Sequence, residues 1–210
     1  MRNSRILLVE GIPGIGKSEL LRSALRRHCC GPAKPRTVVY LTQAHTYGPV
    51  APAEDAGTLT VEENLSHLDR ITAMIEWYAR AVEDEALAKF YGLVDTFHLT
   101  HCHRPGVLDW ADVEGIDKRL ADIGCRLVVL HGSSDTIKRR CVDLRRGTPF
   151  LDQYMRSRAP TDADLLRYLA GEQRSLLALA RRSRLPMLEL ANDGTPEEVL
   201  DAIYEHWTSR

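Results

Sequence analysis

Hydrophobic positions gather in five short runs, at residues 5–10, 37–42, 92–97, 126–131 and 186–190, each bounded by turn-forming residues. The runs are near-continuous and do not alternate, which is the pattern of strands buried on both faces of a parallel sheet. Between them the hydrophobic positions return every three or four residues. Across residues 62–89, Leu65, Leu68, Ile71, Ile75, Tyr78, Val82 and Ala86 trace one helical face behind a Thr60 and Glu63 capping box. Tyr78 continues that apolar stripe and reads as core, which leaves its neighbour Trp77 free to meet a ligand. Two further boxes, Thr161 with Asp164 and Thr195 with Glu198 behind Pro196, mark later helix starts. Strands alternating with helices predict an α/β fold: a five-stranded parallel sheet with helices on both faces, joined by right-handed crossovers. Residues 30–36 and 46–57, rich in proline, glycine and alanine, read as loops over a site.

Composition narrows the field. A chain of 210 residues fits one domain, residues 1–210. The formal net charge of −1 offers no general field for a polyanion, so a nucleic-acid partner is not expected. No apolar run approaches the roughly 20 residues that span a bilayer, and the charged opening MRNSRILLVEG has no secretory core. The expectation is a cytoplasmic protein with no membrane partner. Cys29, Cys30, Cys102, Cys125 and Cys141 lack the paired spacing of a zinc site and read as reduced thiols.

The chemistry begins at VEGIPGIGKS. Gly11, Ile12, Pro13, Gly14, Ile15, Gly16, Lys17 and Ser18 match G-x-x-x-x-G-K-[ST], lying between the first strand and a helix over residues 18–27 whose Leu20, Leu21, Ala24 and Leu25 face inward. Glycines let the backbone N–H groups converge on one point, where the helix also presents its positive end. In such a loop Lys17 reaches the β- and γ-phosphates and the Ser18 hydroxyl ligates Mg²⁺. The third strand, GLVDTFHLTHCHRPG, carries Asp95 at its carboxyl end, where ligands collect in an open α/β sheet. A guanine-reading N-K-x-D segment is missing, which argues against a switch GTPase.

These residues resemble the thymidylate kinase and deoxynucleoside kinase group of small phosphate-loop kinases. VEGIPGIGKS is similar to their E-G-x-x-G-x-G-K-[ST] opening, including the acid Glu10, and VDTFHLTH to their D-R-[FYH] segment. The resemblance implies a three-layer phosphate-loop NTPase fold, with a helical lid at about residues 134–160 around KRRCVDLRRG and FLDQYM, ATP and Mg²⁺ as cofactors, and a homodimer. Thr96 stands where the group carries arginine, and TQAHTYGPV replaces its R-E-P or E-P segment. Both departures bear on the acceptor and leave the donor site intact.

The remaining polar residues take expected roles. Asp95 serves as base or metal ligand, the alternative being a structural carboxylate at a strand end. Glu10 orients the acceptor or the metal shell, or is structural. Among Arg139, Arg140, Arg145 and Arg146 at least one contacts the transferring phosphoryl group, with Arg139 and Arg145 chosen as catalytic and a solvated helix face as the alternative. Gln43, His45, Tyr47, Trp77, His98 and Arg104 are the expected acceptor contacts. His98, His101 and His103 invite a metal reading, but no second pair completes a tetrahedral set, so a polar loop beside the acceptor is preferred. By the resemblance Asn192 and Asp193 lie against the adenine, an ordinary connection being equally compatible. The expected activity is an ATP- and Mg²⁺-dependent phosphotransferase acting on a nucleoside or nucleoside monophosphate. The alternatives are a kinase of another metabolite or an antibiotic, and a nucleotide-binding regulatory module.

Overall fold

The computed structural model describes residues 3–30, 37–83, 89–103 and 108–209. Its centre is a five-stranded sheet in the order β2-β3-β1-β4-β5, formed by β1 (Ser4–Gly11), β2 (Thr37–Leu41), β3 (Phe90–Asp95), β4 (Cys125–His131) and β5 (Met187–Ala191). Every pairing is parallel. The α/β reading of the sequence therefore holds, and successive residues of β1 explain it. Ile6 and Leu8 enter a core with α4 (Val61–Ala81) and α6 (Trp110–Asp122), whereas Leu7 and Val9 enter another with α1 (Lys17–Cys30) and α10 (Pro196–Thr208). A strand feeding two cores must be apolar at every position, so it loses alternation.

Some boundaries differ from the sequence reading. Residues 46–57 are not simply loop: α2 (Gln43–Thr46) starts behind Thr42, whose side chain and backbone pair reciprocally with His45, and α3 (Ala51–Asp55) carries Pro52 in its first turn. Such a capping arrangement satisfies otherwise orphaned N–H groups, so even a few residues can form helix. The third strand ends at Asp95 and not at Phe97, because Thr96 turns the chain into α5 (His98–His103). Helix α4 stops at Ala81, with Val82 as its C-cap, and Ala86 lies outside the described residues.

After β4, α7 (Ser134–Ile137) runs into a π-helical turn (Lys138–Val142), a 3₁₀ turn (Asp143–Arg145), a second π turn (Phe150–Met155) and α8 (Arg156–Arg158), before α9 (Asp162–Ala180). Ile137, Cys141, Val142, Leu151 and Met155 from this segment are buried with α1 and the phosphate loop. No helix among the described residues is long and apolar enough to cross a membrane.

Helix α4 supplies a contrast in stability. Leu68 is fully buried, whereas Trp77 is 65% exposed and lies edge-on to the neighbouring Tyr78, with ring centroids 5.0 Å apart. Leu68→Ala should cost about 2–5 kcal/mol of unfolding free energy, and Trp77→Ser less than about 0.5 kcal/mol. Urea denaturation of the two variants checks this, and equal costs would contradict the packing described.

Candidate active site

The carboxyl ends of β1 and β3 lie side by side, Val9 opposite Asp95 in register. The phosphate loop leaves one strand and Asp95 closes the other, so side chains far apart in sequence meet. Ser18 Oγ donates to Asp95 Oδ2 at 2.5 Å. Thr96 Oγ1 donates to Asp95 Oδ1 at 3.1 Å, and Thr46 Oγ1 to the Asp95 carbonyl at 2.8 Å. Asp95 itself is only 1% exposed.

Thr96 has φ of 64°, a left-handed backbone that a β-branched residue rarely adopts. Strain of this kind costs on the order of 1–3 kcal/mol and persists only where surrounding contacts enforce it. Here they do: Thr96 N–H donates to Val9 O at 2.9 Å, and the next N–H, that of Phe97, donates to Glu10 Oε1 at 2.8 Å. Thr100 Oγ1 donates to Glu10 Oε2 at 2.5 Å. Both Glu10 oxygens are thus spent holding the start of α5, and Glu10 is wholly buried. Of the roles expected for Glu10, these contacts fit the structural one and leave no oxygen for the acceptor.

The loop itself lies over α1. Ile12 and Ile15 are buried anchors, whereas Pro13, Gly14, Gly16, Lys17 and Ser18 line a cavity of about 550 Å³. Gly16, with φ of 115°, has room for no side chain: a Cβ there would stand 3.0 Å from Asn192 Nδ2. Lys17 Nζ donates to Gly11 O at 2.7 Å and Ile12 O at 3.2 Å, folded back along the loop. Glu19, Arg22, Gln43, Arg140, Leu144, Arg145 and Phe150 complete the wall.

The other expected site residues divide. Gln43 and Arg145 line the cavity, but Arg139 is exposed and outside the lining, and Arg140 takes the place beside Gly16. His45 is occupied as the cap of α2, its Nδ1 lying 2.9 Å from Thr42 Oγ1. Tyr47 is buried, its ring edge-on to His101 at 5.2 Å. Trp77 stands ten residues beyond His67 on α4, about 15 Å along the axis, and lines neither this cavity nor the one at His67. Asn192 is fully buried, bracing the loop through Nδ2 to Ile15 O at 2.7 Å, and Asp193 accepts from Ser133 N and Oγ. Arg104 lies outside the described residues.

The expected polar histidine loop is a helix whose rings diverge. His98 Nε2 lies 3.0 Å from Asp117 Oδ1, His101 Nδ1 lies 2.6 Å from Asn64 Oδ1, and His103 Nε2 is 2.9 Å from Glu172 Oε2. His98 is wholly buried, so its expected acceptor contact is corrected to a core one. Among the described residues no group of three or more His, Cys, Asp or Glu side chains is placed to hold a metal ion. The sequence reading missed Arg22 as a cavity residue, although its spacing of four from Ser18 puts it one helical turn along the same face.

No family model matches the sequence, and no curated protein matches it. Many solved structures match it, and two of them illustrate the shared fold. The YorR protein of Bacillus subtilis, in complex with phosphorylated GDP, superposes with a TM-score of 0.58 at 12% identity, over 94% of this chain and 92% of that one. A gluconokinase from Sinorhizobium meliloti 1021 gives a TM-score of 0.52 at 14% identity, over 99% and 93%. The fold is shared; at these identities the substrate is not carried across.

The His98 network gives a pH prediction. Burial alone would push the Asp117 carboxyl up, but hydrogen bonds from His98, the Arg184 N–H and Ser183 Oγ bring it below its usual range. A carboxyl with a lowered folded pKa contributes stability above its unfolded value, about 4, and loses it as pH falls through the folded value. Urea midpoints should therefore fall more steeply below about pH 4 in the parent than in Asp117→Asn. Parallel profiles would contradict the assignment.

Proposed function

We propose that the protein is an ATP- and Mg²⁺-dependent phosphotransferase acting on a small acceptor. The observation that carries this reading is the 2.5 Å hydrogen bond from Ser18 to Asp95 beneath a phosphate loop faced by Lys17, Arg140 and Arg145. The residues present fit both groups. Gly16 lets the loop pass close under Asn192 and Arg140, where a Cβ would stand 3.0 Å from Asn192 Nδ2 and 3.3 Å from Arg140 Nη1, Arg140 Nε is buried with no partner among the described residues, and Ser18 and Asp95 offer the hard oxygen donors that Mg²⁺ prefers. When bound, the metal and the triphosphate supply neutralised charge and the group to be transferred.

This chain's own residues do the rest. Gly14, Gly16 and the start of α1 turn backbone dipoles toward the phosphates, and Lys17 adds a point charge. Asp95 accepts the Ser18 proton in their hydrogen bond, which turns the Ser18 oxygen lone pairs toward the cavity. With its other oxygen engaged by Thr96, Asp95 acts chiefly by orienting Ser18 and less as a proton acceptor for substrate. Arg140 and Arg145 neutralise charge from the lid side, and the buried lid residues exclude water. The solved structures of like fold, one holding phosphorylated GDP and one named a gluconokinase, support a small-molecule kinase and leave a nucleoside or nucleoside monophosphate as one acceptor class among others.

The test is ADP release from Mg-ATP across nucleosides, nucleoside monophosphates and hydroxylated metabolites, with product mass read for an added phosphate. Lys17→Met should abolish transfer while leaving the melting temperature near that of the parent, and full turnover in this variant would overturn the reading. Asp95→Asn should lower kcat by more than about tenfold, with a higher Mg²⁺ requirement. Unchanged values would remove Asp95 from the mechanism.

A further inference from the structure

The arginines of the cavity stand apart from most of those outside it. Arg27, Arg119, Arg146, Arg156, Arg181 and Arg184 each hold a carboxylate. Arg22, Arg140 and Arg145 line the cavity and form no ion pair among the described residues, although Glu19 lines the same wall. Cations gathered in a concave site without counter-charge raise the local concentration of anions.

These three arginines occupy two flanks. Arg140 and Arg145 follow β4, on one side of β1, whereas Gln43 follows β2, on the other side beyond β3. Arg22 lies off the face of α1 that meets Arg140: Glu19, Leu20 and Ser23 share a second cavity with Arg140 and the start of α10, and Arg22 does not line it, whereas Arg22 and Gln43 line the main cavity together. Consistent with that side, the Tyr40 hydroxyl on β2, pushed up to about 12 by burial and by the Asp95 carboxylate, feels the Arg22 charge working against the shift. Arg22 Nε donates to Ser18 O at 3.0 Å, one turn back on α1. That bond fixes the side chain and leaves both terminal amino groups as a fork suited to a phosphate or carboxylate. Thr96 carries no charge, and its buried hydroxyl is taken up by Asp95, so the end of β3 supplies neither a cation nor a free donor here.

We infer that the acceptor carries an acidic group, a phosphate or a carboxylate, and that the Arg22 guanidinium with the Gln43 amide holds it on the β2 flank. This rests on the phosphotransferase reading. It makes Arg22 the residue that sets acceptor choice, while Arg140 and Arg145 serve the transferring group.

The first experiment needs no known acceptor. Inorganic phosphate is titrated calorimetrically into protein saturated with Mg-ADP, for the parent, Arg22→Gln, Arg22→Lys and Arg145→Gln. The parent should bind phosphate, Arg22→Gln should weaken it at least tenfold, Arg22→Lys should recover only part of it, and Arg145→Gln should change it little. Loss in Arg145→Gln with retention in Arg22→Gln would place the anion on the lid flank and overturn the inference, as would absence of binding to the parent. The second experiment compares turnover with matched acceptors: a nucleoside against its monophosphate, and a sugar alcohol against its sugar acid. A preference of at least tenfold in kcat/KM for one acidic member identifies phosphate or carboxylate as the group, and Arg22→Gln should raise that acceptor's KM without moving the KM for ATP. Turnover with an unchanged acceptor KM in Arg22→Gln would remove the Arg22 role and leave the kinase reading standing. Phosphate binding that depends on Arg22, with no acceptor turned over, would keep the anion site and count against the kinase.

Discussion

The hydrogen bond between Ser18 and Asp95 depends on a choice of neighbours in the sheet. Strand β1 pairs with β3 and β4, not with β2, which follows it in the chain. Only that order sets Val9 opposite Asp95, so that the first residues of α1 and the last residue of β3 share one end of the sheet. A right-handed crossover that skips a position leaves a crevice between the diverging connections. The phosphate loop fills the floor of that crevice, and the segments after β2 and β4 form its sides. Gln43 and the arginines after β4, Arg140 and Arg145, reach the same cavity for this topological reason.

Holding Asp95 in place has a structural cost, met by two buried features. Thr96 turns the chain in a left-handed conformation, and Glu10 takes the next N–H and the Thr100 hydroxyl. A buried carboxylate is tolerable only when its oxygens are satisfied, and these are. The acid before the phosphate loop therefore works at one remove: it fixes the chain just past Asp95, and Asp95 in turn fixes Ser18. Thr46 adds a third restraint through the Asp95 carbonyl and ties α2 to the same point, with His67 Nε2 and His101 Nε2 at 2.9 and 3.0 Å from its own carbonyl.

What could be read in advance follows from the range of the interactions. The phosphate loop is a local spacing, and the strands are local runs, so both were legible. Asp95 was legible because it ends an apolar run. Direction was not. Nothing in a linear pattern tells that Glu10, Tyr47 and His98 point inward, because their polarity is satisfied by partners that folding alone brings near. His98 meets Asp117, 19 residues on, and Asp117 also binds Ser183 and Arg184 of a later turn. The arginines show a finer limit. Arg139 and Arg140 are neighbours in the sequence, and which of them faces the loop depends on local winding, here a π turn over Lys138–Val142 in which Arg140 stands beside Gly16 and Arg139 is exposed.

The distribution of charge then separates the fold from the function. A net charge of −1 describes a chain with no long-range preference for anions. Yet within the cavity Lys17, Arg22, Arg140 and Arg145 face a wall whose exposed acid is Glu19, while Asp95 is committed to Ser18 and Thr96. In the segment after β4 the neighbouring Arg146 is neutralised by Asp143 and Asp162, and Arg158 stands 3.4 Å from Asp55 of α3. Carboxylates thus hold the outer side of the segment after β4 and its edge against α3, while Arg140 and Arg145 form no ion pair among the described residues. An inner salt bridge would stabilise the empty cleft and would have to break each time an anion entered. Placing the ion pairs outside holds the segment after β4 without that competition, which under the proposed function would reserve the attraction of the cleft for anionic ligands.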